Sequence, residues 1–257
     1  MRICEDETAF AWISGGRRPT SDLTSSDAAW PGNTVHNLLP DVFESYAKIF
    51  HRLEANYQHI DNLLSEEEER ILQIPRCTAL RTLVEKLRTK KKEEPVRVTW
   101  RDAAASLKLP FASELSDEWF RSRLDSGCWP RFIWGPGEGY LESDDYLELA
   151  RILAQGERLV SCFFRLPEIP FVAIDQSLLF EGKIEEVSEI PTGTNWKTPE
   201  YWWPISHKWC VCSDYDLSYT IVGGSMRVIA EIIDSSLLEA IEVTPDVRID
   251  YLAPIPT

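Results

Sequence analysis

The chain has 257 residues and a formal net charge of −15, from 42 acidic against 27 basic side chains. Its 44% hydrophobic and 27% charged composition is that of a folded globular protein and excludes wholesale disorder, while so acidic a balance repels phosphates and argues against nucleic acid as a partner. The acidic start MRICEDETAF lacks the basic and apolar segments of a signal peptide, and no apolar run reaches the roughly eighteen residues of a membrane span, so a cytoplasmic protein without membrane contact is expected.

Residues 1–33 contain SGGRRPTSDLTSSDAAWPGN, whose Gly, Ser, Thr and Pro content predicts a loop-rich N-terminal arm with little anchored. In NLLPDVFESYAKIFHRLE, Pro40 near a helix start, Asp41 in the first turn, and Val42, Tyr46, Ile49 and Leu53 at helical spacing predict a helix over 40–55. Residues 56–95 carry the acids Glu66, Glu67, Glu68 and Glu69, a breaker at Pro75 and the lysine strip 86–92, and they read as a charged helical insertion. Next, VRVTW predicts a short strand followed by a helix that Thr99 caps, with Asp102 in its first turn.

PRFIWGPGEG reads as a loop, and SDDYLELARILAQGE as a helix with Ser143 at its N-cap and Gly156 at its end. The chain then turns to strands at 159–166, 176–184 and 208–222, before a helix over 225–235 and a strand-like C-terminal run. Helices interspersed with strands predict one α+β domain over 34–257, with a mostly antiparallel sheet and packed helices.

Several blocks taken together, TVHNLLPDVFESYAKIFH, VTWRDAAA, EGYLESDDYLELARILA, SCFFRL, and the long YWWPISHKWCVCSDYDLSYTIVGGSMRVIAEII with LLEAIEV, resemble a family of uncharacterised bacterial proteins common in actinobacteria. WWP, WCV, the Asp-x-Asp pattern and GGS before a helix are its most specific features. The resemblance implies a bacterial, single-domain, cytosolic protein. It supplies no catalytic residues, because the family has no established activity.

The block from Tyr201 to Ser225 gathers the residue types that could carry chemistry. Asp214 and Asp216, two apart on a strand, would share a face and could hold a cation; yet Gly223-Gly224-Ser225 follows the pair, whereas in nucleotidyltransferases the glycine-serine turn precedes it. A turn and a serine cap explain that triplet. His207, Cys210 and Cys212 fall in six residues, but strand alternation turns His207 away from the two cysteines, and no matching pair of zinc-ribbon spacing occurs elsewhere. The six cysteines, scattered through a chain without a secretory start, read as reduced thiols, with Cys162, Cys210 and Cys212 in apolar runs. No nucleophile elbow, phosphate loop, dinucleotide fingerprint or zinc-protease motif is present. Of the four histidines, His51 and His59 are expected at solvated or helix-end positions. Neither a catalytic residue, a metal ligand nor a cofactor is assigned.

The expectation is therefore a non-enzymatic binding protein of the bacterial cytosol, of the immunity type, that neutralises a basic toxin partner through an acidic surface. Its expected contacts are Glu66–Glu69, Glu142, Asp144, Asp145, Asp214 and Asp216 as charge partners, with Trp202 as aromatic anchor because adjacent Trp202 and Trp203 cannot face one core from one strand. The alternatives are a metal-dependent phosphotransfer or hydrolytic enzyme using Asp214 and Asp216, and a structural interaction subunit.

Overall fold

The computed structural model describes residues 2–3, 7–18, 33–55, 78–90, 95–124, 127–139, 141–155, 159–165, 177–189 and 198–249. The fold is α+β with a mostly antiparallel sheet, as the order of elements predicts, and the described residues group into two compact units, one from 1–51 with 138–249 and the other from 52–137.

In the larger unit, eight strands of the described residues form one sheet: β1 (Arg2–Ile3), β2 (Ser45–Phe50), β6 (Leu159–Arg165), β7 (Ser177–Lys183), β8 (Tyr201–Pro204), β9 (Cys210–Cys212), β10 (Tyr219–Gly224) and β11 (Ala240–Val243), in the order β1-β7-β6-β8-β9-β10-β2-β11. Each neighbouring pair is antiparallel. Consecutive residues of β8 and β9 serve opposite faces. Trp202, Trp209 and Val211 join one core with Ala47, Ile49 and the helices α6 (Ser143–Leu153) and α7 (Met226–Ile233), through Leu149, Ile152, Ile229 and Ile232. Trp203, Cys210 and Cys212 join the other, with Tyr46, Val35, Leu39 and Ile13.

This two-sided core corrects the expected helix over 40–55. That segment is a turn followed by β2, which pairs with β10 on one side and β11 on the other and is buried at all six positions. A strand covered on both faces has no polar side, so its hydrophobic pattern loses the period of two, and Tyr46, Ile49 and Leu53 happen to fall at helical spacing. Tyr46, Ile49 and Phe50 are types that favour strands, but Ala47 and Lys48 between them are not.

The N-terminal arm is also corrected. A 3-10 helix (Glu7–Phe10) runs into α1 (Ala11–Gly16), whose Ile13 is 0% exposed in the second core. Aromatic packing holds it there: Phe10 meets Tyr201 at 5.3 Å, Trp12 meets Trp203 at 6.1 Å, and Arg17 Nη1 donates to the Tyr201 hydroxyl at 2.7 Å. A short helix α2 (Val35–Leu38) follows.

The smaller unit has its own sheet, β4-β3-β5, from β3 (Leu53–Ala55), β4 (Val96–Val98) and β5 (Ile133–Trp134). Helices α3 (Thr78–Lys90), α4 (Trp100–Ser106) and α5 (Asp117–Arg121) accompany it. Thr99 caps α4 as predicted, accepting from the Asp102 N–H at 3.0 Å. Trp100, Phe120 and Trp129 form an aromatic cluster, and Trp129 Nε1 donates to Asp117 at 2.6 Å. Helix α3 lies in the expected charged insertion; Glu66–Glu69 and His59 fall outside the described residues.

The other predicted elements are close to those observed. Helix α6 starts at Ser143, but its N-cap is Glu142, which is not bonded as a side-chain cap. The expected strand 208–222 is two strands, β9 and β10, separated by a turn at 213–218.

Candidate functional site

Strand β10 joins two regions where the sequence concentrates chemically able residues, the turn 213–218 before it and the GGS triplet at its end. A six-residue strand separates its ends by on the order of 17 Å.

At the first end, residues 213–218 leave the sheet, so Asp214 and Asp216 do not share a strand face as their spacing suggested. Asp214 Oδ1 instead accepts the Asp216 N–H at 3.1 Å, closing an Asx turn in which the first carboxylate serves the backbone. Among the described residues no group of three or more His, Cys, Asp or Glu side chains is arranged to hold a metal ion. The turn is tied to the loop before α6, because the Gly139 N–H donates to the Leu217 carbonyl at 3.0 Å. Two segments far apart in sequence thus meet, one carrying Glu138 and Glu142 and leading into Asp144 in the first turn of α6, the other carrying Asp214, Tyr215 and Asp216. Asp144, Asp216 and Glu138 are exposed, Glu142 and Asp214 half-buried, and Tyr215 is 42% exposed.

Two expected contacts are withdrawn. Trp202 is 0% exposed, packed against Tyr146 at 5.3 Å and Trp209 at 5.6 Å, so it is core and not a surface anchor. Adjacent Trp202 and Trp203 are both buried because this sheet has a core on each face. Asp145 is likewise 0% exposed in the first turn of α6 and is removed from the charged surface. Tyr215 is the exposed aromatic side chain beside the acids; its place between two aspartates in a turn was the signal for it.

Behind the turn lies a sealed polar chain. His51 Nε2 is 3.0 Å from Thr220 Oγ1, which is 2.7 Å from Ser213 Oγ, and these residues are 1%, 0% and 2% exposed. A serine and a histidine are therefore brought near one another, but through a threonine and away from solvent, where a substrate has no path. The expectation that His51 sits at a solvated position is corrected: it follows β2 into the core, and its N–H donates to the Ser218 carbonyl at 3.1 Å. Hydrogen bonding of each buried polar group to the next is what makes such burial tolerable.

Cys210 and Cys212 share the face of the second core, as strand alternation requires, and both are free thiols. Burial pushes both thiols well above the ordinary range, and for Cys212 the charges of Asp214 and Glu200 add to it. Neutral buried thiols are poor nucleophiles and poor metal ligands. His207 is not with them. It sits in the turn after β8 with φ of 55° and stacks on Trp12 at 4.1 Å with planes 10° apart.

At the far end of β10, a cleft of about 500 Å³ opens between the 42–44 segment, the end of α6, the 207–209 turn and the start of α7. The start of α7 is already occupied by the protein's own groups. Glu44 Oε2 accepts the Met226 N–H at 3.0 Å, and Ser225 Oγ accepts the Val228 N–H at 3.4 Å. The predicted serine cap is present, and a carboxylate from a distant loop stands where an anion would favour the helix dipole. Gly223 has a packing reason: a Cβ there would run into the ring of Phe43.

Comparison with protein-family models, with curated proteins and with solved structures finds no match for this chain. Among the described residues no helix is long and apolar enough to cross a membrane.

Proposed function

We propose that this chain is a non-enzymatic binding protein of a bacterial cytosol, of the immunity type, which neutralises a basic toxin by docking it on the acidic turn Asp214–Asp216 and the adjoining loop before α6. The observation that supports this reading is the Gly139 to Leu217 hydrogen bond. It brings the segment that carries Glu138, Glu142 and Asp144 against the turn that carries Asp214, Asp216 and the exposed Tyr215. Acids grouped about an amphipathic aromatic ring suit a basic protein surface: the charges steer the encounter, and the ring supplies desolvated contact area. Because Asp214 uses one oxygen to close its own turn, the loop is held in one shape before a partner arrives, which lowers the ordering cost of binding.

The test is capture of a basic protein by the immobilised chain, followed by calorimetry with that protein. Binding is expected to weaken steeply with added salt and by about tenfold or more in the Asp214→Asn, Asp216→Asn double variant. Asparagine keeps the Oδ1 acceptor of the Asx turn, so the fold is retained while the charge is lost. Affinity that ignores both salt and the double variant would place the partner elsewhere.

A further inference from the structure

The cleft at the end of β10 has the opposite character to the acidic turn. In a chain of net charge −15, its walls include Lys208 and Arg227, both exposed. Its floor and sides are apolar, from Phe43, Ile152, Leu153 and Val228. Val42, 67% exposed, also lines it, so a large apolar side chain open to solvent stands at its edge. The volume of about 500 Å³ lies within the range of small-molecule pockets, roughly 300–1,000 Å³.

Arg227 is held in position. Its Nε lies 3.3 Å from Glu231 Oε1 and its Nη2 donates to Gln155 Oε1 at 3.1 Å, while Gln155 Nε2 donates to Glu231 Oε2 at 2.8 Å. This brace leaves Nη1 without a protein partner among the described residues, as a donor of fixed direction at the cleft wall. The Glu44 carboxylate, the acid lining the cleft, accepts the Met226 N–H and is already engaged. The start of α7 is likewise used by Glu44 and Ser225, so the helix end is not the recognising element.

We infer that the cleft binds a small amphipathic anion, an apolar ring body carrying one carboxylate or sulfonate. The body would lie against Phe43, Leu153 and Val228 and the anion would meet Arg227 Nη1 and Lys208. Lys208 and Arg227, both on the cleft wall, favour a ligand of negative charge there. A charge-assisted bond to a braced guanidinium adds directional preference. This inference is independent of the acidic turn, which lies at the opposite end of β10.

The test is titration of the full chain with 1-naphthoate and with neutral 1-naphthamide, followed by calorimetry and by backbone amide shifts. Saturable one-to-one binding of naphthoate is expected, with shifts centred on Lys208, Gly224, Ser225 and Arg227. The neutral amide, and naphthoate on the K208E/R227E double variant, are expected to bind about tenfold more weakly or worse. Both side chains are exposed, and a K208Q/R227Q variant provides a second measurement should charge reversal disturb folding. Equal affinity for naphthamide, undiminished affinity in the variants, shifts centred elsewhere or no saturable binding would each overturn the inference.

Discussion

The two ends of β10 handle the same problem, a carboxylate near backbone N–H groups, in different ways. At the turn, Asp214 closes on Asp216 two residues away; at the cleft, the start of α7 is closed by Glu44, which lies far back in the chain before β2. A local closure depends on the turn alone, whereas a long-range one exists only when the sheet is assembled. The acidic end should therefore tolerate changes in the core that the cleft end does not. The surfaces differ too: at the turn, two segments rich in carboxylates meet beside Tyr215, while at the cleft Glu44 bonds the helix start and Lys208 and Arg227 line the wall.

The largest effect that would break this comparison comes from the core between the ends. Trp202→Ala removes a fully buried ring that touches Trp209 at the cleft side and Tyr146 of α6, and a loss of about 3–5 kcal/mol in urea unfolding is expected. An effect near zero would mean that Trp202 is not the core residue described. Gly223→Ala comes next, at about 1–3 kcal/mol, because the added methyl meets Phe43, which must swing away and deform the cleft. Its signature is a change at the cleft with the acidic turn unmoved, which amide shifts would separate. A smaller loss, about 1 kcal/mol, is expected for Ser225→Ala through the α7 cap, and Glu44→Gln should cost less still because the amide oxygen retains an acceptor.

The smallest effect sharpens the cleft side alone. Burial lowers the His207 pKa below its ordinary value of 6.5, so the unfolded chain takes up a proton first as pH falls. The stability linked to this residue is then fully present above about pH 6.5 and declines as the pH drops below that value, until the folded imidazole also protonates. Urea midpoints from neutral to mildly acidic pH should lose part of their slope in His207→Asn, since asparagine accepts the left-handed backbone but does not titrate. An unchanged slope would show that His207 does not carry this dependence.

Much of the fold was legible. The strands at 159–165 and 177–183, helix α6, helix α7 and the caps at Thr99 and Ser225 all follow from local pattern and capping chemistry. Residues 45–50 were not legible as a strand, because burial on both faces erased the alternation that marks one. Nor was α1 in the N-terminal arm, where a few aromatic residues among glycines and serines anchor the chain through contacts with β8. Of the candidate surface, Asp214, Asp216, Asp144 and Glu142 were named from charge alone, but charge could not say that Asp145 is buried, nor that Tyr215 stands in the place meant for Trp202.

The sequence by itself determined the α+β class, the acid excess, and the turn and cap chemistry of GGS, because each depends on composition or on neighbours a few residues away. Only the tertiary structure decided that Trp202 and Trp203 are both core, which segments meet at Gly139 and Leu217, and that Glu44 closes α7 from a distance. These depend on pairing between strands remote in the chain, and a one-dimensional pattern carries no record of which remote strand a residue will face.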